Sequence, residues 1–285
     1  METNAIPTPA ELKDICADLA VSAADLVVQQ RDFLSKHGSI AQVTETKTSA
    51  VDPVTAVDRA AEAHIADRLR ALRPNDAIVG EEGANVDGTT SVQWVIDPID
   101  GTVNFLYGLP AYAVSVGAAV RGEFVAGCVV NVASGDVYSA AKGEGAFVRR
   151  GGEDTRLRAS NKQDTDTALV ATGFSYDAEW RGKQAEMLRL ILPRVRDVRR
   201  IGSAALDLCN LAEGRIDAYY EHGTHPWDYA AAAVIAAEAG AVVRHPGIAD
   251  GAGRGEPVIA SAPRVWEDFF DLLESAGATC PIAAL

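Results

Sequence analysis

The stretch Trp94-Val95-Ile96-Asp97-Pro98-Ile99-Asp100-Gly101-Thr102-Val103-Asn104-Phe105 joins an apolar run to an acidic turn. Val92 to Ile96 has the length and β-branched content of a buried strand, and Pro98 and Gly101 bend the chain directly after it. Asp97, Asp100 and the carbonyl of Ile99 therefore leave one strand end together. Gly101 and Thr102 should open a short helix containing Asn104 and Phe105, where backbone N–H groups can face a phosphate. Carboxylates with a backbone oxygen are hard ligands, and Mg²⁺ takes such oxygens octahedrally at about 2.1 Å while keeping waters. The segment offers none of the His and Cys donors that zinc prefers.

The same residues also fit a plain β-turn, since Pro, Asp and Gly are common turn residues. An EF-hand loop does not fit, because these acids are spaced differently from its ligands and Gly follows the second at once. A phosphatase of the haloacid dehalogenase type would need a nucleophilic Asp two residues before the Asp of Asp-Gly-Thr, where this chain has Pro98.

Outward from this segment, Ala77 to Gly80 forms a second short apolar run that ends in acid, Glu81-Glu82. Upstream, Thr8 with Glu11 forms a capping box for an amphipathic helix that Lys36-His37-Gly38 ends. Residues 38 to 54 read as an extended or mobile loop, and Thr55 caps a second helix with Asp58 in its first turn and Pro74 as its stop. Downstream, Ala113 to Val148 alternates β-branched stretches with glycines, the pattern of antiparallel hairpins. After Arg158, strands at Ala168 to Phe174, Val198 to Ile201 and Ile216 to Glu221 alternate with helices at Lys183 to Leu192 and Ser203 to Ala212. That order implies a second mixed sheet with helices on its faces. Trp227 to Ala239 is apolar around nearly its whole circumference, which marks a helix buried between layers, with Asp228 in its first turn. Val258 to Ser261 and Pro263 to Ser275 supply a last strand and helix.

The chain has 285 residues, a hydrophobic fraction of 48% and 23% charged residues, enough for a sizeable core. It reads as one folding unit without an internal linker. No run approaches a membrane span and no secretory leader is evident, so a cytoplasmic location is expected. Cys16, Cys128, Cys209 and Cys280 lie far apart and read as packing residues. A net charge of −14 disfavours nucleic-acid partners and repels phosphorylated substrates, so an anion site requires local cations. Arg194, Arg196, Arg199 and Arg200 read as a solvated basic run. The spacing of His222, His225 and Asp228 admits a metal site, but Pro226 argues for a loop. Trp94, Trp180, Trp227 and Trp266 read as core or interface residues.

Residues 94 to 105 resemble the metal-binding signature of the inositol monophosphatase family, W-[VI]-[IV]-D-P-I-D-G-T-x-N-F. Further motifs occur in the family's order across almost the whole chain. They are Lys47, Asp52-Pro53-Val54-Thr55-Ala56-Val57-Asp58, Gly80-Glu81-Glu82, Gly202-Ser203-Ala204-Ala205, Asp217-Ala218-Tyr219-Tyr220-Glu221 and Trp227-Asp228. Val103 and Pro226 depart from the common pattern at positions that are not ligands.

The resemblance implies an α/β (α+β) fold, the layered α/β/α/β/α sandwich of the inositol monophosphatase and fructose-1,6-bisphosphatase type. Residues 1–285 would form a single domain with an N-terminal half to about 160 and a C-terminal half from about 161. It also implies Mg²⁺-dependent hydrolysis of myo-inositol monophosphate by a metal-activated water. Glu81, Asp97 and the carbonyl of Ile99 would hold one magnesium. Asp97, Asp100 and Asp228 would hold a second, and a loosely held third would sit near Glu81, with Lys47 close by on a mobile loop. Asp58 would bond Thr102 to orient the attacking water. Gly101, Thr102, Gly202, Ser203, Ala204 and Glu221 would face phosphate and substrate, with Glu221 on vicinal hydroxyls. Lithium inhibition and a homodimer are expected in the same way. Related activities toward fructose 1,6-bisphosphate, histidinol phosphate or nucleotide 3′-phosphates, or a regulatory binding role, remain alternatives.

Overall fold

In the computed structural model, which describes residues 6–37, 44–46, 53–248 and 252–284, the hairpin-rich sequence forms a seven-stranded sheet. Its strands lie in chain order: β3 (Ala77–Gly80), β4 (Val92–Asp100), β5 (Ala113–Val120), β6 (Glu123–Asn131), β7 (Asp136–Ala141), β8 (Gly145–Arg150) and β9 (Glu153–Arg156). Only β3 and β4 run parallel; the other neighbours are antiparallel. Helices α1 (Pro9–His37) and α2 (Ala56–Leu72) cover one face with Leu12, Leu19, Ile65 and Leu69 against Trp94, Ile96 and Val116. Both starts are capped as the sequence implies. Thr8 and Glu11 bond reciprocally, as do Thr55 and Asp58.

The second sheet has five strands in the order β11 (Asp197–Arg199), β10 (Leu169–Thr172), β12 (Ala218–His222), β14 (Pro257–Ser261) and β13 (Val242–Arg244). Its outer face takes α4 (Ala178–Ile191) and α7 (Trp266–Ser275), through Met187, Ile191, Phe269 and Leu273. Between the sheets lie α5 (Ala204–Ala212) and α6 (Pro226–Glu238), which share one core with the inner faces of both sheets. The layers therefore run helix, sheet, helix, sheet, helix. Among the described residues no helix is long and apolar enough to cross a membrane.

The central helix layer explains two glycines of the first sheet. A Cβ at Gly127 would stand 2.5 Å from the Ala231 Cα, so the alanine-rich face of α6 touches the β6 backbone itself. Gly127→Val should lift α6 and cost about 3 kcal/mol or more, which urea unfolding would measure. Gly117 meets the same helix one strand away.

Several elements differ from the sequence reading. Helix α4 begins at Ala178 rather than Lys183, because Asp177 accepts the Trp180 N–H at 2.9 Å and caps an otherwise polar first turn. Within the stretch read as a loop, β1 (Thr44–Thr46) pairs antiparallel with β2 (Pro53–Thr55), and Glu45 bonds Arg59 at 3.1 Å. Lys47 and Asp52 lie outside the described residues. Strand β13, three residues long, is too short for alternation to register. Cys16, Cys128 and Cys209 are buried, whereas Cys280 is exposed and does not pack.

Candidate active site

Strand β4 delivers the acidic turn through a bulge. Asp97 pairs with Ser115, but Asp100 pairs with Ala113, so one extra residue is accommodated where Pro98 can give the ladder no N–H. The bulge turns Asp97, the Ile99 backbone and Asp100 toward one cavity of about 530 Å³. Parallel pairing of Gly80 with Ile96 carries Glu81 to the same place, and its N–H donates to the Ile96 carbonyl at 3.2 Å. Glu62 on α2 fixes this turn from behind, accepting the N–H groups of Glu82 and Ala84 at 2.7 Å each.

The C-terminal half supplies Asp228 in the first turn of α6, where it accepts the His225 N–H at 2.6 Å. Glu81, Asp97, Asp100 and Asp228 all line the cavity. Asp97 is pushed well up by burial, then by the charges of Glu81, Asp100 and Asp228. Burial and the charges of Asp100 and Glu81 likewise raise Asp228. Asp100 is raised only to about 6, because bonds from Ser203 and the Ala205 N–H oppose its desolvation. Among the described residues no three acidic, His or Cys side chains close into a finished ligation shell. Protein N–H and O–H donors reach Asp97 from Ile99 N, Asp100 from Ser203 and Ala205 N, and Asp228 from His225 N. Repelling carboxylates at one cavity are a donor chemistry that a divalent cation would neutralise.

Beneath them, the Thr102 hydroxyl lies 3.0 Å from Asp58 Oδ1 and 3.1 Å from the Ile99 carbonyl. Asp58 is fully buried, and the loss of hydration raises it against the bonds from Thr55 and Thr102. Thr102 is not the helix cap. Gly101 takes that place at φ 95°, and Thr102 begins α3 (Thr102–Tyr107). A Cβ at Gly101 would meet the carbonyls of Ala111 at 2.9 Å and Gly202 at 3.0 Å, so the turn admits only glycine. Asn104 ties this turn to the C-terminal half, donating to the carbonyls of Ala111 and Ile201 at 2.7 Å each.

Gly202, Ser203, Ala204 and Glu221 also line the cavity. Ser203 is buried, donating to Asp100 Oδ2 at 2.5 Å and capping α5 through Leu206 N–H, so its hydroxyl faces inward. Glu221 accepts the Tyr219 hydroxyl at 3.0 Å and is raised by burial to about 7. His222 and His225 lie at the cavity without joining Asp228 in a common set: His222 is buried, and His225 stacks on Trp227 at 4.5 Å.

Three features escaped the sequence reading. Arg200 is not merely solvated. It is the single Lys or Arg lining the cavity among the described residues, and its charge acts on Asp100, Asp207 and Glu221. Trp180 packs against the core of the second sheet and, with Phe174 and Tyr176, also lines the cavity. Glu62 had no signal beyond an acid buried on a helix face.

The inositol monophosphatase family model matches residues 12–270. The chain is 49% identical to "Inositol-1-monophosphatase SuhB" of Mycobacterium tuberculosis, over 96% of this chain and 97% of that protein. It is 38% identical to "Nus factor SuhB" of Escherichia coli, over 70% of this chain and 74% of that one. The solved structure of Mycobacterium tuberculosis SuhB superposes with a TM-score of 0.82 at 44% identity, covering 96% of this chain and all of that one. With acids from both halves at one cavity and a match of this extent, the chain belongs to the inositol monophosphatase family, a metal-dependent family of phosphatases.

Proposed function

We propose that the chain is an inositol-1-monophosphatase, which hydrolyses myo-inositol monophosphate to inositol and phosphate with Mg²⁺. The observation that carries this is the convergence of Glu81, Asp97, Asp100 and Asp228 above the bonded pair Asp58 and Thr102. In this proposal Glu81, Asp97 and the Ile99 carbonyl would hold one magnesium. Asp97, Asp100 and Asp228 would hold a second, and Glu81 would contribute to a third, loosely held one. When bound, the cations supply positive charge to the phosphoryl oxygens and make a water at the site acidic enough to react near neutral pH.

The remaining roles fall to the chain's own groups. The Thr102 oxygen accepts a hydrogen bond from the attacking water while its own hydrogen goes to Asp58, which fixes the direction of attack. The first amides of α3, at Gly101 and Thr102, lack intrahelical acceptors and donate to the phosphate. Attack by the water oxygen at phosphorus forms the new P–O bond and releases one proton, while the bond to the alcohol oxygen breaks on the opposite side and that oxygen takes up one proton. Glu221 receives the vicinal hydroxyls of the departing ring. The backbone of Gly202 to Ala204 lines the ring's other side, since the Ser203 hydroxyl is already engaged. A two-fold homodimer is the assembly we propose, the commonest closed symmetry, which light scattering would read.

Phosphate release with Mg²⁺ from inositol 1-phosphate, fructose 1,6-bisphosphate, histidinol phosphate and a nucleotide 3′-phosphate tests the substrate. Inositol 1-phosphate should give the highest kcat/KM. The name of the Escherichia coli relative favours a binding role as the second possibility. Folded, magnesium-loaded protein that releases phosphate from none of the four would favour it.

A further inference from the structure

Strands β10 and β12 pair in parallel, with Ala171 opposite Tyr219 and Thr172 opposite Tyr220. One residue further, Gly173 stands opposite Glu221. Alternation puts Ala171, Gly173, Tyr219 and Glu221 on one face of the sheet, small residues beside large ones. Tyr219 belongs to the core between the sheets, while Tyr220 packs on the outer side.

Gly173 is buried, and its backbone is not in the left-handed region, so an alanine would suffer no backbone strain there. Space is the obstacle. A Cβ at Gly173 would lie 2.0 Å from Glu221 Oε1, 2.1 Å from Cδ and 2.2 Å from Oε2. The glycine therefore holds the volume in which the Glu221 carboxylate lies. On the same strand, the Tyr219 hydroxyl donates to Glu221 Oε2 at 3.0 Å and fixes the rotation of the carboxylate. Tyr219 is itself fully buried, so its ring cannot follow a displaced carboxylate.

We propose that Gly173 and Tyr219 are positioning residues that set the Glu221 carboxylate against the alcohol portion of the substrate and so determine specificity for vicinal hydroxyls. This rests on the assignment of Glu221 to the leaving polyol. A carboxylate placed to accept hydroxyl hydrogen bonds discriminates against alcohols without them, and loses that discrimination when it is displaced.

The test compares kcat/KM for inositol 1-phosphate with that for p-nitrophenyl phosphate, which has no vicinal hydroxyls, in magnesium-loaded full-length protein. Gly173→Ala should lower the ratio of the two by roughly tenfold, chiefly through the KM for inositol 1-phosphate, and Tyr219→Phe by a few-fold in the same direction. In a Glu221→Ala background the carboxylate is gone, and Gly173→Ala should then leave the ratio unchanged. An equal loss on both substrates, or a loss that adds to that of Glu221→Ala, would overturn the proposal. Should Gly173→Ala fail to fold, Tyr219→Phe alone and with Glu221→Ala gives the same comparison. Failure of the underlying assignment looks different: wild-type protein would cleave p-nitrophenyl phosphate and leave inositol 1-phosphate intact.

Discussion

Asp97→Asn should lower the turnover of inositol monophosphate by roughly 10³-fold or more, because an amide removes negative charge from the carboxylate assigned to both principal metal positions. Asp97 lies at the centre of the acidic group, raised by burial and then by Glu81, Asp100 and Asp228. The same substitution has an opposite effect on the metal-free fold. Removing a buried charge that its neighbours repel should raise the unfolding temperature in EDTA, so the variant gains stability as it loses activity. Steady-state phosphate release paired with a thermal scan in EDTA checks both. Turnover within about tenfold of wild type would show that the centre had been misassigned.

Stability of the metal-free protein should fall as pH rises. Asp58, Asp97, Asp100, Asp207, Asp228 and Glu221 all bind protons more tightly in the folded state than ordinary carboxylates do, Asp100 up to about 6 and Glu221 to about 7. Groups raised in this way contribute stability that is fully present below their unfolded values and lost as pH rises through the folded ones. Each proton held by the folded but not the unfolded chain tilts the curve by about 1.4 kcal/mol per pH unit. His222, lowered to about 4, and His245, also lowered, act in the opposite sense and lose stability as pH falls below 6.5. The clean window therefore opens about one pH unit above the histidines' ordinary value of 6.5, where only the carboxylates still tilt the curve. Urea unfolding in EDTA should show declining stability across it, and saturating Mg²⁺ should flatten the slope. A flat metal-free curve would mean that these acids do not confront one another.

Much of this architecture was legible in the residues. Strand alternation, the glycine-punctuated hairpins and the all-apolar Trp227 to Ala239 stretch indicated two sheets with a helix layer between them. Asp97, Asp100 and Glu81 were legible because each follows an apolar run closed by turn residues. What pattern could not convey was packing across distant strands. Nothing local marks Gly173 as the space for Glu221, or Arg200 as the cation that reaches the cavity while Arg199 pairs with Asp197. Ser203 shows the converse. Its place at the start of a helix was legible, but the Asp100 carboxylate that claims its hydroxyl comes from the other half of the chain.

In the proposed mechanism Asp228, far along the chain, completes a cation site begun by the β3 and β4 turns. Titration calorimetry of Mg²⁺ into metal-free wild type and Asp228→Asn tests this. Saturable binding by wild type, weakened by more than about tenfold in a variant with an unchanged circular dichroism spectrum, is the expected result. Equal affinity in the two proteins would contradict it.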